Sequence, residues 1–173
     1  MKKLNVLLCT IALAGLTATS CSSDDDNGTN VGIAGTYVLE EVNTAQATDL
    51  NGDGSFSTNQ MNEINCYDGS RIILNADNSF VYDRNRVLVD AQEGTYACAE
   101  NTFTGTWMLQ GGSGTSATII ANYQDGNGQS REITLNKDGD EITVIQVFGE
   151  YPNVNSEGGY FYQNGQVEYV FVK

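Results

Sequence analysis

The chain has 173 residues, 22 of them acidic and 8 basic, with no histidine and a net charge of −14. A chain this acidic repels phosphate backbones, so nucleic acid is excluded as an expected partner. Without histidine there is no Ser-His-Asp or Cys-His nucleophile. No carboxylate spacing singles out a glycosidase pair, and GGSGTS (111–116) lacks the lysine of a phosphate loop. The expectation is a protein that is not an enzyme.

In chain order, MKK opens a short apolar run, LNVLLCTIALAGL, that is too short to span a bilayer as a helix. The sequence then narrows to Ala18, Thr19, Ser20 and Cys21. This order resembles a bacterial lipobox and implies a lipoprotein signal over 1–20 with Cys21 lipidated; an ordinary secretory signal is the alternative. SSDDDNGTN follows, and its acidic run resembles the surface-export signal of Bacteroidota lipoproteins. Residues 21–33 are therefore expected to be a lipidated, solvated tether. The expected location is the outer membrane, lipid-anchored and facing the cell surface. All 22 acids and 6 of the 8 basic residues follow the signal, which leaves no basic patch for anionic lipid. The lipid anchor is then the expected hold on the membrane.

From residue 34 to 173 short alternating segments recur between turn signals, which predicts β-structure. GTYVLEEV (35–42) sets Tyr37 and Leu39 on one face. After it comes DLNGDGSFSTNQ (49–60), with Asp49, Asn51 and Asp53 at alternate positions, then Gly54 and Ser55. That is the first half of an EF-hand-type calcium loop. The twelfth position is Gln60, an amide where calcium expects a bidentate carboxylate, so a weak structural calcium on Asp49, Asn51, Asp53, Ser55 and Gln60 is the expectation. The competing reading is a polar turn, with Ser57 and Gln60 forming a capping box for a short helix over 58–65. That helix would pack Met61 and Ile64 on the sheet, with Glu63 one turn beyond Gln60.

SRIILN (70–75) and FVYD (80–83) form the next hairpin, followed by TFTGTWMLQ (102–110), TSATIIANY (115–123), REITLN (131–136), EITVIQVF (141–148) and QVEYVFVK (166–173). Asn164–Gly165 is read as a hairpin turn before the last strand. Arg84 and Arg86 are expected either to pair with acids across strands or to face an anionic ligand, with pairing preferred. Cys66 and Cys98 suggest a disulfide in an exported chain, with free thiols as the alternative; two cysteines and no histidine do not make a zinc site.

About eight strands joined by tight turns predict an antiparallel up-and-down barrel with one short helix after the first strand; a β-sandwich is the rival. Gly35, Thr36, Tyr37 and Leu39, then Cys66, Asp77, Asn78 and Phe80, then Gly105, Thr106 and Trp107 together resemble the lipocalin-like domain of Bacteroidota lipoproteins. The resemblance implies a lipocalin-type barrel and names no ligand. Eight strands leave an interior that side chains fill or that holds one small ligand. Tyr37, Trp107, Ile119 and Phe171 are the expected lining of a hollow barrel that binds a small apolar or sugar-like molecule. A filled barrel that contacts other envelope proteins is the alternative. The C-terminal aromatics, Tyr151, Tyr160, Phe161, Tyr162 and Tyr169, suit either a mouth or a core. EYPNVNSEGGYFYQNG (150–165) matches no recognised pattern.

Overall fold

The computed structural model describes residues 32–173. The expected signal, Cys21 and the tether through residue 31 lie outside the described residues. Alternation of apolar and polar residues gives nine strands: β1 Gly35–Thr48, β2 Ser57–Asn59, β3 Arg71–Leu74, β4 Ser79–Asp90, β5 Thr95–Ser113, β6 Ser116–Gln124, β7 Ser130–Asp138, β8 Glu141–Val154 and β9 Tyr160–Val172. Every neighbour pairs antiparallel, and β9 returns to pair with β1, Val38 opposite Val172 through Thr44 opposite Val167. The barrel therefore closes on eight strands, and β2 is an added short strand on the far end of β1. Closure removes the exposed edges that an open sheet would leave.

Up-and-down connection places turns at two ends. The start of β1, the turns at 75–78, 114–115 and 139–140, and the chain's C-terminus share one end. Polar bonds tie this end shut. Tyr37 Oη donates to the Ile33 carbonyl at 2.6 Å, Lys173 Nζ to the Ala34 carbonyl at 3.0 Å, and Lys137 Nζ to the Gly114 carbonyl at 2.7 Å and also to the Gly139 carbonyl. Ile33 is already fully buried, so the last residue expected in the tether belongs to the barrel core.

Three elements differ from expectation. The short helix over 58–65 is not formed. Ser57–Asn59 pairs with β1 as β2, and the chain continues through two 3-10 turns, Gln60–Asn62 and Asn65–Tyr67. Asn59, Asn62 and Asn65 compete locally for backbone bonds and disfavour a helix. Asn59 Oδ1, not Ser57, caps the first turn through Met61 N at 3.1 Å. Met61 and Ile64 do pack on the core. Second, β4 and β5 run well past their expected ends into one long hairpin, turning at 91–94. Third, Asn164–Gly165 is not a turn. It lies inside β9, Gly165 opposite Gly149, and the chain reverses at 155–159. A Cβ on Gly165 would stand 2.9 Å from the Tyr151 ring and 3.1 Å from Ala45 Cβ, so this glycine serves packing.

Cys66 and Cys98 form a disulfide, with Cα atoms 5.0 Å apart and a sequence separation of 32. It staples the second 3-10 turn to β5. In the chain-entropy model a loop of this length contributes roughly 3–4 kcal/mol.

Candidate ligand basin in the open half of the barrel

The interior is divided. Toward the tied end the inward side chains of every barrel strand interlock. Tyr37, Ile72, Phe80, Ile119, Leu135, Ile142 and Phe171 are each at most 1 % exposed, and Trp107 is 3 % exposed. The residues expected to line a ligand cavity, Tyr37, Trp107, Ile119 and Phe171, all belong to this packed cluster. Their polar handles are spent on the backbone, Tyr37 at Ile33 and Trp107 Nε1 on the Asn75 carbonyl at 2.9 Å. These four residues are core, and that expectation is corrected. Burial pushes the Tyr37 phenol up to about 12, with Asp140 adding to the shift.

Beyond Tyr82 the same inward parity of β4 continues to Arg84 and Arg86, and the interior opens. Two cavities adjoin there and share these two arginines. One, of 410 Å³, is walled by Tyr67, Tyr162 and Tyr169, with Glu150 and Phe148 also on its lining. The other, of 490 Å³, is walled by Asn101, Phe103, Tyr123 and Arg131, with Asp125 on its lining. Neither cavity is lined by any of the four residues expected from sequence.

The charges around this basin are uneven. Arg71 pairs with Asp83 at 2.7 Å, and Arg131 with Asp125 at 2.8 Å. Thr102 Oγ1 donates to Asp83, and with Arg71 it holds that carboxyl below the usual carboxylate range. Arg84 and Arg86 make no ion pair among the described residues; across β5 they face Asn101 and Ala99. The expected pairing of these arginines with acids is therefore not formed. Arg84 and Tyr169 line the same cavity, and Arg86 Nε is buried without a hydrogen-bond partner. Burial raises the Tyr67 and Tyr169 phenols, while Arg84 pulls both back.

The walls of the basin are braced from outside. Tyr67 Oη donates to Gln60 Oε1 at 2.6 Å, and Gln60 Nε2 donates to the Pro152 carbonyl at 2.9 Å. The disulfide beside Tyr67 fixes the same turn. The long hairpins β4–β5 and β8–β9 lean together. Tyr162 Oη donates to the Val87 carbonyl at 3.1 Å, Val89 N donates to Tyr162 Oη at 3.2 Å, and the Tyr96 and Tyr160 rings lie 4.6 Å apart. On the other side β7 and β8 pair only over Asn136–Asp138 with Glu141–Thr143. Beyond that seam β8 bulges between Gln146 and Gly149 and exposes Ile145, Val147 and Phe148.

The acidic loop lies next to this end. Asp49 accepts from Gly52 N at 2.8 Å, Asp53 N at 3.1 Å and Gly54 N at 2.9 Å. Asn51 Oδ1 accepts from Asp53 N at 2.9 Å, and Asp53 Oδ1 from Ser55 N at 2.7 Å. The Ser55 N–H holds the Asp53 carboxyl below its ordinary range. Gln60 is fully buried and turned to Tyr67 and Pro152, not to this loop, so its expected place as a ligand is corrected. Glu63 is buried too, and its carboxylate accepts from Leu50 N at 3.1 Å. Among the described residues no three His, Cys, Asp or Glu side chains cluster closely enough to hold a metal.

The basin was signalled in FVYDRNR, where Phe80, Tyr82, Arg84 and Arg86 share one face of a strand. Reading the strand as ending at Asp83 hid that continuity. Compared with known proteins, the chain matches no family model, no curated protein and no solved structure.

Proposed function

We propose that this chain is a lipid-anchored, non-enzymatic, lipocalin-like binding barrel of the outer membrane, exposed at the cell surface, whose small-molecule ligand sits in the open half. The observation that carries the reading is the basin, where two unpaired arginines and several tyrosines face cavities of 410 and 490 Å³. Such a lining of aromatic walls with a few convergent polar groups is what small-molecule sites use. It fits a polar molecule with a ring better than the wholly apolar cargo considered from sequence. The described chain enters the barrel at the tied end, beside Ile33 and Ala34, and the basin lies toward the opposite end.

The same reading gives the Asp49–Ser55 loop a weakly held structural calcium ion. Its oxygens would come from Asp49, Asn51, Asp53 and the Ser55 carbonyl, without Gln60. With two carboxylates the affinity belongs at the weak end, about 10⁻⁴–10⁻³ M. A second reading, an accessory protein that docks on other envelope proteins, draws on the packed core and on exposed Ile145, Val147 and Phe148, the last 97 % exposed.

Native mass spectrometry of the lipidated chain, residues 21–173, purified from the producing cell's own envelope, separates these readings. The binding barrel predicts a small-molecule adduct. A bare chain favours the accessory protein. A calcium-sized mass lost to a chelator supports the loop site, and its absence with added calcium rejects it.

A further inference from the structure

We infer that the ligand of the basin is a ring-bearing organic anion whose oxyanion sits between Arg84 and Arg86. This rests on the reading that the open half is the ligand site, and it adds the chemical class. In a chain with 22 acids, pairing an arginine with a carboxylate is easily arranged. Arg71 and Arg131 are paired in that way, and Lys137 and Lys173 are spent on backbone carbonyls. The two described basic residues left without a carboxylate or a backbone carbonyl, Arg84 and Arg86, are the two that line both cavities.

A half-buried guanidinium with no counter-ion is costly, and Arg86 Nε lies buried with an unused N–H. An arriving oxyanion would meet that donor. Residues two apart on one strand face stand about 7 Å apart along it, close enough for both forks to reach one carboxylate, sulfate or phosphate group. Tyr67 and Tyr169 on one side, and Phe103 and Tyr123 on the other, supply flat surfaces for a ring. Two carboxylates also line the cavities. Asp125 is held by Arg131, and Glu150 makes no ion pair among the described residues. Glu150 lines the first cavity alone, so the second is the more favourable seat for the anion.

The test uses the mature chain, residues 21–173, and two probes with the same ring system, naphthalene-2-sulfonate and the uncharged naphthalene-2-methanol. Proton–nitrogen spectra read the Nε–H signals of Arg84 and Arg86 during each titration. The sulfonate should shift both signals and bind at least tenfold tighter than the alcohol. Arg84→Gln with Arg86→Gln should bring the two probes to near-equal affinity. Inorganic sulfate should bind at least tenfold more weakly than the sulfonate. Equal binding of both naphthalenes at these arginines leaves the basin as the ligand site and overturns the anion. Sulfate binding as tightly as the sulfonate overturns the ring. A sulfonate that moves neither signal overturns both the anion and the basin. Trp107 emission, which reports the packed half, checks that the double variant folds; the wild-type comparison of probes decides the matter if it does not.

Discussion

The two halves of this barrel are built from the same strands and do opposite things. Along β4, Phe80 and Tyr82 point into the packed half and are buried, while Arg84 and Arg86 point into the basin with no ion pair. β9 repeats the change, with Phe171 fully buried and Tyr169 lining a cavity. The difference is set by side-chain chemistry on one continuous inward face, not by a change of fold. Substitutions in the packed half should therefore cost stability, and substitutions in the open half should cost binding.

The largest effect should come from the packed half. Phe171→Ala removes a fully buried ring and should lower stability by about 3–5 kcal/mol in urea titration. A loss below 1 kcal/mol would mean that the half is loosely filled. Next, Cys66→Ser with Cys98→Ser should cost roughly 3–4 kcal/mol. Because the bond anchors the turn that carries Tyr67, the same variant should also weaken ligand binding, which Phe171→Ala should not. Gln60→Leu comes third. It strands the Tyr67 hydroxyl and the Pro152 carbonyl in a buried place, at a cost of about 1–3 kcal/mol by thermal or urea unfolding.

Changes in pH sharpen the contrast further. The Tyr37 phenol is raised to about 12 by burial, so the folded chain holds a proton that the unfolded chain loses near pH 10. Its stabilising effect is complete below pH 10 and is lost as pH rises toward 12. Asp83 and Asp125 are held below the usual carboxylate range, the first chiefly by the Thr102 hydroxyl and the second chiefly by the Gln129 N–H. Their contribution is complete above about pH 4, the unfolded value, and fades as pH falls through the folded one. Unfolding midpoints from pH 2 to 12 should show both flanks. The smallest effect on stability is expected in the basin. Arg84→Gln and Arg86→Gln should leave the fold no less stable, because no ion pair is lost and a half-buried guanidinium without a counter-ion is removed. A large loss would make them structural residues instead.

Much of the packed half was legible. REITLN alternates strictly, and GTYVLEEV and TSATIIANY alternate except at the Glu40–Glu41 bulge and at buried Ile120, because one face is core and the other is mostly solvent. The long hairpin arms were not legible, since Thr95–Asn101 is exposed on nearly every residue and carries no period. Asn164–Gly165 has turn chemistry, yet the Tyr151 ring is what requires glycine there. Gln60 looked like a loop ligand because spacing alone cannot tell that its amide is drawn into the core. The basin arginines were visible, but whether a charge finds a partner depends on what stands across the strand, and Asn101 and Ala99 stand there.

The central claim is that the packed half holds the fold and the open half holds the ligand. It is tested most directly by paired native mass spectra of the wild-type chain and the Arg84→Gln, Arg86→Gln variant, both purified from the envelope. The account predicts a small-molecule adduct on the wild type, no adduct on the variant, and an unfolding midpoint no lower on the variant. An adduct that survives the double substitution would place the ligand elsewhere and contradict it.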